Sequence, residues 1–138
     1  MLSKATETYA LGDDLLILGN SYETFAITAR KLGSGTANYR RGTILMLSSG
    51  SAGDGKYVIL GTSPETNETL AADVILAEDI SFGTSADVIA LAYRKGTFNK
   101  TTVKARTDAS NGSAVTITAA HETALRDVGI YMVEAQTV

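Results

Sequence analysis

The sequence has no cysteine and no tryptophan, one proline and one histidine. Without cysteine, neither a disulfide framework nor a thiolate metal site can form, and the redox compartment leaves no mark on the chain. The missing tryptophan, with only six tyrosines spread singly, counts against a platform for stacking sugar rings. No excess of charge is present either: 12 basic against 15 acidic residues leave a net charge of −3. That balance argues against binding nucleic acid by neutralising phosphates, and leaves Arg30-Lys31 and Arg40-Arg41 as the candidate local basic patches. The apolar run near the start, Leu15-Leu16-Ile17-Leu18, is too short for a membrane span or a signal h-region and follows Asp13-Asp14, so neither is expected.

The residues that are abundant point to strands. Thr, Val and Ile recur throughout while proline appears once. A chain of 138 residues suits one domain and buries roughly two thirds of its unfolded surface. The stretch Ala72 to Val103 organises the rest. It holds two short apolar runs, Asp73 to Ala77 and Asp87 to Tyr93, joined by a turn-rich connection around Gly83, which predicts antiparallel neighbours. Arg94-Lys95-Gly96 is expected to mark a surface corner, with Phe98 and Val103 returning to apolar cover.

Elsewhere, Glu23 to Ala29 alternates, with Phe25, Ile27 and Ala29 on one face, the pattern of a half-buried strand. Thr43 to Leu47 and Tyr57 to Leu60 read as two buried strands joined by a glycine-rich loop. Ala114 to Thr118 is a candidate short strand, and Thr118 is expected to cap a helix over Ala119 to Asp127 with Gly129 past its end. Within that helix Glu122 and Arg126 stand at i,i+4, and Leu125 and Val128 face inward. Ile130 to Val133 closes the domain as a strand. The expected fold is therefore mainly β with one short C-terminal helix: a small barrel-like or sandwich-like domain over 22–138, preceded by an extended arm over 1–21.

Several fragments imitate chemistry. Gly50-Ser51-Ala52-Gly53-Asp54-Gly55-Lys56-Tyr57 has P-loop spacing, but Tyr57 stands where Ser or Thr must hold Mg²⁺, and the strand run Val58-Ile59-Leu60 stands where a helix must begin. It reads as a hairpin loop. His121 lacks the Gly-x-Ser-x-Gly turn of a serine hydrolase anywhere in the chain and reads as a surface residue of the short helix. The adjacent carboxylates Asp13-Asp14 and Glu78-Asp79 point to opposite faces of a strand, so neither pair reads as metal ligands. Three Asn-x-Ser/Thr sites, at Asn67, Asn99 and Asn111, are expected in exposed loops. No catalytic group, cofactor site or metal site is assigned.

One resemblance remains. Gly42-Thr43-Ile44-Leu45-Met46-Leu47, Lys56-Tyr57-Val58, Ala71-Ala72-Asp73-Val74-Ile75-Leu76, Arg94-Lys95-Gly96-Thr97-Phe98 and Thr123 to Val133 resemble, in order and spacing, the lambda-type head decoration proteins of tailed bacteriophages. The resemblance covers about residues 41–138, and the first forty residues lie outside it. It implies a non-enzymatic cement protein on the outer surface of the phage head, made in the host cytoplasm. Its partners would be the major capsid protein and two further copies in a homotrimer, with no nucleic acid, membrane or cofactor. It also implies that the N-terminal arm adds a strand to a coat-protein sheet, and by position the capsid contact falls on Thr6, Thr8, Tyr9, Leu11, Leu15 and Leu16. The alternatives are a β-sandwich carbohydrate-binding or adhesin module, another phage structural role, and an OB-like nucleic-acid-binding barrel. The last lacks a clustered aromatic platform and a basic groove.

Overall fold

The computed structural model describes residues 16–19, 21–31, 38–103 and 116–134. The protein is mainly β, built on a five-stranded barrel with a short helix near its C-terminus, and residues 100–103 are also helical. The barrel strands are β1 (Glu23–Arg30), β3 (Ile44–Ser49), β4 (Tyr57–Ile59), β5 (Thr69–Leu76) and β7 (Asp87–Asn99). Their order is β1-β4-β3-β5-β7, and a β1–β7 pairing closes the ring. All contacts around it are antiparallel except β1–β4, which is parallel and has one register pair, Ala29 with Tyr57. A two-stranded ribbon, β2 (Asn38–Tyr39) with β6 (Ile80–Ser81), lies outside the ring.

Alternation along the strands separates two cores. Ile27 and Ala29 of β1, Leu45 of β3, Tyr57 and Ile59 of β4, Val74 and Leu76 of β5, and Ala90 and Ala92 of β7 fill the barrel. The ribbon adds Tyr39 and Ile80, and Phe82 follows it, with the Tyr39 and Phe82 rings edge to face at 5.0 Å. The Tyr39 hydroxyl donates to the carbonyl of Arg30 at 2.8 Å, which ties this cover to the end of β1. The opposite faces of the same strands supply Ile44, Met46, Val58, Leu60, Ala72, Ile75 and Tyr93 to a second core. Leu125 of α1 (Ala119–Asp127) and Ile130 of β8 (Ile130–Val133) cover it, joined by Leu16, Phe98 and Val103. Strands buried on both faces explain why β3, β4 and β5 read as continuous apolar runs.

The helix begins where its sequence requires. Thr118 Oγ1 accepts from the His121 N–H at 3.2 Å, and His121 Nδ1 accepts from the Thr118 N–H at 3.1 Å, so the single histidine completes a capping box. Glu122 pairs with Lys100 at 3.2 Å, and the ion pair with Arg126 that the i,i+4 spacing implied does not form along the helix. Leu125 is buried and Val128 packs against the core, as their spacing predicted.

Three expectations change. The Arg94-Lys95-Gly96 segment is not a corner: β7 runs on through it for thirteen residues in all, to Asn99, pairing in parallel with β8 from Gly96 onward. Gly96 makes this passage feasible, because its φ of 134° is a glycine conformation and a Cβ there would meet Tyr22 Cβ and the Phe98 ring at 3.1 Å. Asn99 is 4% exposed and accepts from the Thr101 N–H, so it lies in no open loop, whereas Asn67 does stand in an exposed turn with φ of 66°. The candidate strand at Ala114 to Thr118 is absent over 116–118, the part that falls within the described residues.

The fourth change concerns the arm. Ile17 bridges antiparallel to Phe98, the Leu18 N–H donates to the Thr97 carbonyl, and the Asn99 N–H donates to the Leu16 carbonyl. Leu16 is 0% exposed within the second core. A boundary at residue 21 therefore cuts through an element that belongs to the domain, which begins by Leu16. Leu16→Ala is expected to cost about 2–5 kcal/mol, the range for emptying a buried leucine site. It should appear as a lower urea midpoint at unchanged slope; a silent substitution would return residues 16–18 to the arm.

Candidate functional site

The structure gives a mixed answer on the residues assigned to a capsid contact. Thr6, Thr8, Tyr9, Leu11 and Leu15 lie outside the described residues. Leu16 does not present itself to a partner, because its side chain is consumed by the second core; this corrects its assignment. The described surface offers a polar depression and two groups of exposed apolar side chains.

The depression, about 550 Å³, is lined by Arg30, Lys31, Val58, Gly61, Thr62, Ser63, Glu65 and Glu68. Glu68 is its hub. Its buried carboxylate accepts from the Ser48 hydroxyl, from the Glu65 N–H at 2.9 Å and from Arg30 Nη2 at 3.2 Å. Arg30 Nη1 also donates to Asp54 Oδ2 at 2.7 Å, so one guanidinium joins the β3–β4 loop to the β4–β5 connection. The Ser48 and Glu65 donors hold the Glu68 carboxyl below its ordinary range, with desolvation opposing them and Arg30 adding to them. Burial pushes the Asp54 carboxyl upward, but the Lys56 N–H, Arg30 and Ser48 outweigh it and the net direction is also down.

This arrangement commits Arg30, Asp54, Ser48 and Glu68 to locking loops together. Asp54, Ser48 and Lys56 serve the loop that imitates a phosphate cradle. Two of its glycines have steric reasons: a Cβ at Gly50 would meet the Asn67 carbonyl oxygen at 2.7 Å, and one at Gly53 would collide with the backbone of Ser49. The loop joins β3 to β4 as the hairpin expected of it. Glu78 and Asp79 likewise act as backbone acceptors, from the N–H groups of Leu91 and Arg41. Among the described residues no group of three or more His, Asp or Glu side chains is placed to hold a metal ion.

A second polar cluster stands near the start of β1. Asp73 is the extra residue of a bulge, since Val74 pairs with Leu45 and Ala72 with Met46. Its carboxylate accepts from Tyr57 Oη at 3.0 Å and Arg94 Nη2 at 2.7 Å, and the Arg94 guanidinium lies 5.1 Å from the centre of the Phe25 ring. Burial, with the adjacent Asp73 charge, pushes the Tyr57 hydroxyl up to about 12. The group is therefore a fixed donor that holds the bulge.

The apolar faces are simpler. On the outside of β1 and β7, Ile89 is 75% and Leu91 46% exposed, paired in register with Thr28 and Ala26. On the small sheet formed by residues 16–18, the end of β7 and β8, the side chains of Leu18, Tyr131 and Val133 are exposed. A scan against family models and a search of curated proteins give no match for this chain.

Sequence reasoning missed both polar clusters. Arg30 and Glu68 are separated by 38 positions, and Ser48 and Glu68 by 20, so no local pattern links them. The only available hint was Glu68 itself, a charge beside the start of an apolar strand. Both carboxylates have folded-state values lowered from 4.5 and 3.8, so the unfolded chain binds more protons in acid. The stability they contribute is complete above these ordinary values and is lost as pH falls through the lowered ones. Urea midpoints measured from neutral pH into acid should therefore decline most steeply below about pH 4.5. Glu68→Gln should be less stable at neutral pH and show a shallower acid decline; an unchanged slope would remove Glu68 from the network's acid response.

Proposed function

We propose that this chain is a capsid decoration protein of the lambda type, a cement that binds the expanded head of a tailed phage as homotrimers and opposes internal DNA pressure. One observation carries the reading. The five stretches that resemble the family fall on β3, β4, β5, the second half of β7, and α1 with β8. Around the barrel these strands follow one another as β4-β3-β5-β7, with β8 beside the end of β7, and β1, which lies outside the resemblance, closes the ring between β4 and β7. Segments scattered through the sequence are thus neighbours in space, which supports a common framework over a chance succession of short matches.

Cementing needs no chemistry and little affinity at each site. When a trimer docks through three equivalent segments, the second and third engagements are intramolecular, and modest contacts multiply into tight attachment. Preference for the expanded shell stabilises that shell by mass action. Residues 1–15, with Thr6, Thr8, Tyr9, Leu11 and Leu15, are the segment we assign to the coat-protein contact. The sugar-binding alternative gains little, because the exposed Tyr22 sets its ring edge to face against the buried Tyr93, 5.4 Å away, and the exposed Tyr131 belongs to β8, so the two form no shared stacking platform.

The test is co-sedimentation with expanded, undecorated capsids, comparing the full chain with a variant that starts at Leu16. Truncation at residue 21 would remove a core side chain and confuse unfolding with loss of contact. Saturable binding by the full chain, lost in a truncated protein that keeps its thermal melt, is the expected result. If the full chain stays in the supernatant across matched coat proteins, the cement reading fails and a glycan array becomes the next screen.

A further inference from the structure

We infer that the open half of the β1–β4 seam is a docking edge for an extended segment of a partner polypeptide, which adds to β1 as a further strand. The inference does not rest on the cement reading.

The alternation of backbone bonds along β1 identifies the edge. The Lys31 N–H donates to the Ala86 carbonyl at 2.9 Å, and the same register sets Ala29, Ile27 and Phe25 opposite Val88, Ala90 and Ala92. In an antiparallel ladder such alternate positions exchange both backbone bonds with the facing strand. The positions between them, Thr24, Ala26, Thr28 and Arg30, therefore turn their N–H and C=O groups away from β7. The neighbour on that side is β4, whose one pairing, Ala29 with Tyr57, engages the Thr28 carbonyl and the Arg30 N–H. Both backbone groups of Thr24 and Ala26, and the Thr28 N–H, are left without a backbone partner among the described residues. Thr24 and Ala26 are exposed, so these groups are open to a docking strand.

Open strand edges are ordinarily guarded by lysine, proline, a bulge or a covering segment. Thr24-Phe25-Ala26-Ile27-Thr28 contains no charge and no proline, and the one register shift of β1 against β7 lies before it, between Glu23 and Thr24. The flanking charges are engaged: Glu23 with Lys95, and Arg30 with Asp54 and Glu68. What the edge presents also selects its occupant. A row of backbone donors and acceptors at strand spacing is satisfied along its length by another extended backbone, with alternate side chains setting preference. On the outward side the added strand lies beside the small Thr24, Ala26 and Thr28, which leave room for bulk. On the inward side it lies beside the half-buried Phe25, whose ring is 5.1 Å from the Arg94 guanidinium, and an apolar residue fits there. The partner segment is thus extended, uncharged over the length of the edge, and apolar at every second position.

Amide hydrogen exchange, read residue by residue by NMR on the full chain, tests this. The probe is a capped synthetic peptide of alternating valine and threonine with a lysine at each end for solubility. In the free protein the Thr24 and Ala26 amides should exchange faster than those of Phe25 and Ile27 by about a hundredfold or more. Peptide added into the millimolar range should slow the first pair saturably and leave the second pair unchanged. Ala26→Pro removes an N–H that has no partner, a change that edge strands tolerate. It should keep the thermal melt and abolish the response to peptide. Equal protection of all four amides in the free protein overturns the proposal, because the edge is then already covered. An absence of any response to the peptide overturns it too, as does a response that a folded Ala26→Pro retains. Slowing that grows with protein concentration and needs no peptide assigns the edge to a second copy, and the partner polypeptide is then wrong. Should Ala26→Pro fail to fold, the exchange contrast and the peptide response of the unaltered chain decide alone.

Discussion

The ladder along β7 is the constraint on which the rest depends. Its first half pairs with β1 and β5 to close the barrel, and its second half pairs with residues 16–18 on one side and β8 on the other. One strand therefore serves two cores: Ala90 and Ala92 face the barrel, while Tyr93 and Phe98 face the cluster under α1. Gly96 lets it change direction between these duties without losing its ladder. A corner at this point would separate β8 and residues 16–18 from the barrel, and the second core would lose its cover.

Barrel closure is uneven, and the polar groups lie where it is thin. β1 and β4 share a single register pair, so little backbone pairing holds that seam. Arg30 at the end of β1 reaches Asp54 and Glu68, carried by the connections on either side of β4, and so spans the seam with side chains. Arg94, stacked near Phe25 at the start of β1 and bound to Asp73, does comparable work at the other end of that strand. Removing one partner from such a buried or half-buried pair leaves a charge without compensation, which costs more than the pair itself contributes. The two clusters thus act as fasteners for a ring that backbone hydrogen bonds leave weakly joined.

Much of this was legible beforehand. The alternation at Phe25, Ile27 and Ala29 correctly placed β1 with that face inward, and the apolar runs located β3, β4, β5 and most of β7. Thr118 and Gly129 marked the helix ends because capping is a local rule. The misses share a cause. Arg94-Lys95-Gly96 has turn composition, yet β8 and Leu18 supply hydrogen bonds that keep it extended, and those partners lie far along the chain. Leu16 looked like a sticky arm residue because its pocket, made by Phe98, Val103, Leu125 and Ile130, exists only after folding. His121 lacked a catalytic partner and seemed idle, while its ring had a purely local use as the acceptor of a capping box.

Along its first half β7 turns its small side chains inward and larger ones outward. Alanines point into the barrel and the larger Ile89 and Leu91 point out of it. A one-residue slip would bury the aliphatics and expose the alanines, which the hydrophobic effect alone would favour. The barrel forbids it, because Tyr39, Leu45, Tyr57, Ile59 and Phe82 already occupy the interior and leave room only for alanine at positions 90 and 92, with Val88 packed at the margin. Packing therefore explains the alanines but says nothing about what stands on the other face, where any strand former with a polar side chain would serve. Strand propensity accounts for an outward isoleucine more readily than for the leucine two positions on.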